Sequence, residues 1–84
     1  MAFRYEFLEA AARDLHKLTR HSPSLLHAIA TEHIPRILQD PFSAGEAEKG
    51  DLAGVRACGL QVKGVAYRLI YQVNDNVVLF VALA

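Results

Sequence analysis

Apolar residues open the chain on a period of two: Phe3, Tyr5 and Phe7 alternate with Arg4 and Glu6, the spacing of a strand with one wet face. From Leu8 the period becomes helical. Leu8, Ala11, Ala12, Leu15 and Leu18 fall on one face, with Arg13, Asp14, Lys17 and Arg20 elsewhere on the wheel, and predict a helix to about Arg20. Ser22-Pro23 predicts the next helix start, with the serine oxygen as cap and proline at a position that needs no N–H. Leu25, Leu26, Ile29, Ala30 and His33 then share a face. Pro35 interrupts it, because its ring crowds the Thr31 carbonyl and it has no N–H to donate. A kink or break between Thr31 and Pro35 is expected, with Arg36 to Gln39 as a final turn.

The stretch DPFSAGEAEKGDLAG reads as a polar loop of unusual length, with Glu46, Glu48, Lys49 and Asp51 as solvated charges. Three extended runs follow: about Val55 to Val62, Ala66 to Val73 and Val77 to Leu83. Lys63-Gly64 and Asn74 to Asn76 separate them, and both suit hairpin turns. The last run is the most apolar and is expected to be central. The reading is one α+β domain over residues 1–84, strand-helix-helix-three-strand meander. Its sheet has four mainly antiparallel strands in the order 2-3-4-1, with the helix pair on one face.

A hydrophobic content of 52% against 21% charged residues is globular composition. Basic and acidic residues number nine each, divided five and five up to Asp40 and four and four after it, so global charge points to no nucleic-acid partner. The longest charge-free apolar run, Val77 to Ala84, is far short of a membrane span of ~20 residues, and the N-terminus lacks a signal-peptide core. A cytoplasmic protein with no membrane partner is expected, and the single Cys58 agrees with that compartment.

His16, His21, His27 and His33 are spaced by five or six residues, so no i, i+4 ligand pair arises and no metal site is expected. The glycines match no phosphate-loop fingerprint, so no cofactor is expected either. Cys58, without a companion, reads as a small buried strand residue. In AYRLIYQV, parity puts Tyr67, Leu69, Tyr71 and Val73 toward the helices and Arg68 on the face they leave open. A mid-sheet arginine needs an anion or a hydrogen-bonding partner, and the pattern admits both a structural ion pair and a ligand contact.

FRYEFLEAAARDLHKL, GDLAGVR and above all YRLIYQVNDNVVLFVALA resemble the RelE/ParE superfamily of small toxins from bacterial type II toxin–antitoxin systems, nearly end to end and in matching order. The resemblance implies the strand, helix pair and meander already read from the periods. The RelE branch cuts messenger RNA on the ribosome without metal, using basic residues on the open sheet face to activate the 2′-hydroxyl and stabilise the phosphorane. The ParE branch poisons DNA gyrase, and members of both are held inactive by a cognate antitoxin. Arg68 matches the arginine of the family's YR motif, which in the RelE branch faces the scissile phosphate. Arg56 and Lys63 are placed like basic residues of the second strand, where Gly59 and Gln61 replace two frequent lysines.

The resemblance therefore implies a RelE-like endoribonuclease and translation inhibitor, with Arg68, Arg56 and Lys63 as its catalytic candidates. Family nucleases continue past the last strand into a basic segment carrying a tyrosine or histidine. This chain is expected to lack that segment and to have an incomplete catalytic set. The alternative is a non-catalytic binding protein, either a gyrase inhibitor or a decayed toxin that still binds an antitoxin. The apolar ending also predicts an exposed patch on the open face that drives self-association or is covered by an antitoxin segment.

Overall fold

The most apolar strand, β5 (Val77–Leu83), is central: β1 (Arg4–Phe7) pairs with it in parallel and β4 (Val65–Asn74) antiparallel. In the computed structural model, which describes residues 3–47 and 54–84, the sheet continues through β3 (Arg56–Val62) to a two-residue edge strand, β2 (Glu46–Ala47). The order β1-β5-β4-β3-β2 is the expected order with a fifth strand added at one edge. That strand lies inside the segment read as loop, as does α4 (Pro41–Ala44). Its register with Ala57 and Arg56 is a long-range pairing that no local pattern encodes. Glu48, Lys49 and Asp51 lie outside the described residues.

Helix α1 (Glu9–Thr19) lies against β5 along Ala11, Leu15 and Thr19, narrower than the apolar face read from the period. Ala11 is small enough for close approach, and Thr19 is buried with its Oγ1 donating to the Leu15 carbonyl at 2.6 Å. Leu8, Ala12 and Leu18, expected inside, are exposed. Asp14 reaches from the same helix to the sheet, its Oδ2 accepting the Leu83 N–H at 3.3 Å.

The second helical stretch runs from α2 (Pro23–Ala28) through a wider π-type turn at Ile29–His33 into α3 (Ile34–Gln39). The turn is how the chain accommodates Pro35: the Ile34 N–H reaches back five residues to the Ile29 carbonyl, and the backbone stays right-handed helical across the junction. The expected interruption is present as this bulge. Ser22 begins the stretch with proline at the first helical position, but its side chain makes no capping hydrogen bond; its carbonyl accepts the Leu25 and Leu26 N–H groups instead. Leu25, Ile29, Ile34 and Ile37 are buried, whereas Leu26 and Ala30 face solvent.

These helices cover one face of the sheet. Beneath them Cys58, Leu60, Leu69, Tyr71, Val78, Phe80 and Leu83 form one core, with Phe7 stacked on Phe80 at 4.8 Å between ring centroids. Full burial of a side chain such as Phe80 contributes about 1.5–3 kcal/mol. The core position of Leu83 corrects simple alternation along β5. Tyr71 pairs with Phe80 but Ile70 pairs with Ala82, so Val81 is an extra, bulged residue and parity changes there. Val78, Phe80 and Leu83 thereby share the helix side, leaving Val77 and Leu79 on the other face.

Candidate functional site

The side of the sheet away from the helices carries Arg68. Its chain neighbours Tyr67 and Leu69 pack into the core, so pleating turns Arg68 outward, as its parity predicts. Across the sheet it stands opposite Gly59 of β3. On its other side its backbone N–H and carbonyl exchange hydrogen bonds with Ala84 at 2.9 and 3.0 Å. Arg68 is thus fixed in the interior of the sheet at the backbone while its side chain is exposed. Between it and residues 44–47 lies a recess of about 400 Å³, floored by Ala57 and Gly59. Glu46 enters it from the edge strand, opposite Ala57.

Arg56 does not join this group. It pairs with Tyr71, which places both side chains on the helix side. There its guanidinium donates to the carbonyls of Phe42 at 2.5 Å and Gly45 at 2.8 Å and lies 5.8 Å from the centre of the Phe42 ring. Beside it Tyr71 donates from its hydroxyl to the Pro41 carbonyl at 2.6 Å, and burial pushes this phenol above its ordinary range, partly opposed by Arg56. Gly45 passes so close that a Cβ would stand 2.5 Å from Tyr71 Oη and 2.9 Å from the Ala57 carbonyl oxygen. These contacts hold α4 and β2 against the sheet.

Lys63 is also apart. With Gly64 it forms a two-residue hairpin loop in which both have positive φ, 52° and 81°, the signature of a type I′ turn. Five residues separate it from Arg68, about 17 Å along an extended strand at ~3.4 Å per residue. The three basic candidates are therefore split between the open face, the helix side and a hairpin tip. Strand parity already separates Arg68 from Arg56 once the register is known, and only the fold supplies the register.

Two residues of the recess escaped the sequence reading. Gly59 was legible only as a departure from a family pattern, although a glycine in mid-strand is itself a signal. Glu46 carried none, because its place depends on β2. Cys58 is buried and its Sγ accepts from Arg36 at 2.9 Å on the helix side. Among the described residues no three His, Cys, Asp or Glu side chains gather as metal ligands, and no helix is long and apolar enough to cross a membrane.

Residues 7–84 match the family model described as a ParE-like toxin of type II bacterial toxin–antitoxin systems. Among solved structures, the chain is similar to the toxin–antitoxin complex RelBE2 from Mycobacterium tuberculosis, with 24% identity, a TM-score of 0.78, and coverage of 99% of this chain and 96% of that one. A conserved hypothetical protein of Helicobacter pylori is similar at 22% identity and a TM-score of 0.69, over 98% of this chain and 92% of that one. A free mutant form of Escherichia coli toxin RelE is similar at 23% identity and a TM-score of 0.69, over 100% of this chain and 83% of that one. At these identities the likenesses establish the shared fold. No curated protein sequence matches the chain.

Proposed function

Since this chain belongs to the ParE-like toxins of type II bacterial toxin–antitoxin systems, within the RelE/ParE superfamily, we propose that it is a RelE-like toxin that cuts ribosome-bound messenger RNA and is neutralised by a cognate antitoxin. The observation that carries the reading is Arg68 over Gly59, a guanidinium in a recess of the open sheet face. A planar guanidinium can hold two phosphate oxygens at once and stabilise charge that grows on them as the 2′-oxygen attacks. Arg68 is the residue assigned that role. Arg56 acts by holding the recess wall in place, and Lys63 meets the RNA backbone from the hairpin tip. A ribosomal target places the protein in the cytoplasm.

An antitoxin partner is supported by the similarity to RelBE2, a toxin–antitoxin complex. Ile70, Val77 and Leu79 are half-exposed on the face without helices, an apolar strip that an amphipathic segment of such a partner would cover. Self-association of the chain alone is expected from the same strip.

The second reading, a gyrase-directed inhibitor, is favoured by the ParE-like family model and by the scattering of the three basic residues. One experiment separates the two. Purified protein is incubated with ribosome-bound messenger and, in parallel, with gyrase and relaxed plasmid. Cutting of the messenger, lost in a folded Arg68→Ala variant that also relieves growth arrest, is the expected result. Intact messenger with blocked supercoiling would replace the first reading by the second.

A further inference from the structure

The sheet ends differently at its two edges. At one, β2 offers only Glu46 and Ala47; at the other, β1 runs from Arg4 to Phe7 and, among the described residues, no strand lies beyond it. Prolines, bulges and extreme shortness are the usual guards of an edge, and β1 has neither proline nor bulge. The Arg4 N–H donates to the Asn76 carbonyl and the Leu8 N–H to the Phe80 carbonyl, each at 2.9 Å, so even-numbered residues turn their backbone groups toward β5. The N–H and C=O of Tyr5, between them, point away from the sheet. Side chains alternate as well. Tyr5 is half-exposed and lies edge-on to Phe7 and Phe80 on the helix side, with 6.1 Å between centroids in each case. Arg4 and Glu6, paired with Val77 and Leu79, stand exposed on the other face and have no ion-pair partner among the described residues.

We propose that β1 pairs antiparallel with β1 of a second copy of this chain about a two-fold axis at Tyr5, joining the two sheets into one of twice five strands. What selects a second copy is that Arg4-Tyr5-Glu6 is its own complement in charge when set against itself antiparallel. Tyr5 faces Tyr5, and the two exchange both backbone hydrogen bonds. Arg4 then faces Glu6 of the second copy, and Glu6 faces its Arg4. Charge also selects this register over the neighbouring two-fold ones. An axis at Arg4 would set arginine on arginine and an axis at Glu6 glutamate on glutamate, and like charges directly opposite are destabilising. A slip of one residue would turn the two helix layers to opposite faces. On the helix side Phe3 comes opposite Phe7, an aromatic pair on each side of the axis. The seam from Phe3 to Phe7 is about 17 Å long at ~3.4 Å per residue, which suits a reversible dimer. Because the axis stands perpendicular to the sheet, both copies present Arg68 on the same side, and β5 separates each Arg68 from the seam.

The test is sedimentation of the purified chain over a range of concentrations, with circular dichroism as the check on folding. The parent should pass from monomer to dimer as concentration rises. Glu6→Arg and Arg4→Glu each leave a strand of one charge and should weaken the dimer by at least about tenfold. Mixing these two variants should restore it, because each charge of one then meets its opposite in the other. The double variant carrying both exchanges should dimerise on its own like the parent. Glu32→Arg, which changes the net charge equally but away from β1, should leave the dimer intact. A parent that stays monomeric to its highest soluble concentration overturns the proposal and leaves the edge to a strand of another protein. So do single variants that dimerise as well as the parent, a mixture that stays monomeric, or an equal loss in Glu32→Arg. Leu79→Ser is the control for the apolar strip of the open face. If it abolishes the dimer while Glu6→Arg keeps it, the contact lies on that strip and the proposal fails.

Discussion

Arg56 and Arg68 stand on neighbouring strands, and so do the demands made on them differ: one is enclosed, the other presented. On the helix side Arg56 is drawn into the Phe42 and Gly45 carbonyls, Tyr71 is locked to Pro41, and Gly45 is squeezed beneath both. On the opposite face Arg68 is exposed beside Gly59, where an added Cβ would meet no atom of the described residues within 4 Å. Residue type is the same in each pair; the face of the sheet decides its role. Packing selects residues on the first face, so their replacement should register as lost stability. On the second, replacement should register as lost binding or activity while the fold persists.

The largest effect should separate adjacent residues of β5. Phe80→Ala removes a fully buried ring stacked on Phe7 and should cost about 3–5 kcal/mol in urea denaturation. Leu79→Ala, half-exposed on the other face, should cost no more than about 1.5 kcal/mol. Similar losses for both would mean that the open face is packed as a second core.

The two glycines give the next contrast. Gly45→Ala puts a Cβ against Tyr71 Oη and a backbone carbonyl and should destabilise by about 1–3 kcal/mol, because backbone must shift to admit it. Gly59→Ala meets nothing among the described residues and gains strand propensity, so its stability should be unchanged or higher by up to about 1 kcal/mol. A matching loss at Gly59 would mean that the open face at β3 is as tightly packed as the helix side.

These contrasts also mark what the sequence could disclose. Local periods carried the strand, the helices, the hairpins and the outward turn of Arg68, because each depends on residues within a few positions of one another. The central place of β5 followed from its apolar run. Beyond that range the chain was silent. The bulge at Val81, which brings Leu83 into the core, needs the β4 register, and the pairing of Glu46 with Ala57 joins segments eleven residues apart. Arg56 looked like a companion of Arg68 because both are strand arginines in a basic-toxin pattern. Only the alignment of Gly59 with Arg68 and of Arg56 with Tyr71 places them on opposite faces.

That separation predicts a smaller but diagnostic difference. Arg56→Ala deprives two carbonyls of a charged donor and loosens α4 and β2, and should cost about 1–2 kcal/mol. Arg68→Ala should stay within about 1 kcal/mol of the parent in the same denaturation series. The reverse ranking would make Arg68 the structural arginine.

The smallest expected effect tests the helix side where its polar pairing is incomplete. His33 lies in the π-type turn with its Nδ1 buried and, among the described residues, without a hydrogen-bond partner. Burial, and then the charge of Arg36, hold its imidazole below the ordinary value of 6.5, while Glu32 pulls weakly the other way. Since the unfolded chain takes up this proton at a higher pH than the folded one, protonation favours unfolding. The contribution of the neutral imidazole is complete above 6.5 and is lost as pH falls from there toward the folded value. His33→Gln removes the titration while keeping a polar side chain. The difference in urea midpoint between the parent and this variant should therefore shift toward the variant between about pH 7.5 and about pH 5.5, a range that brackets an ordinary histidine. A difference that stays constant across that range would mean that His33 titrates alike in both states, and that its buried nitrogen carries no cost to the fold.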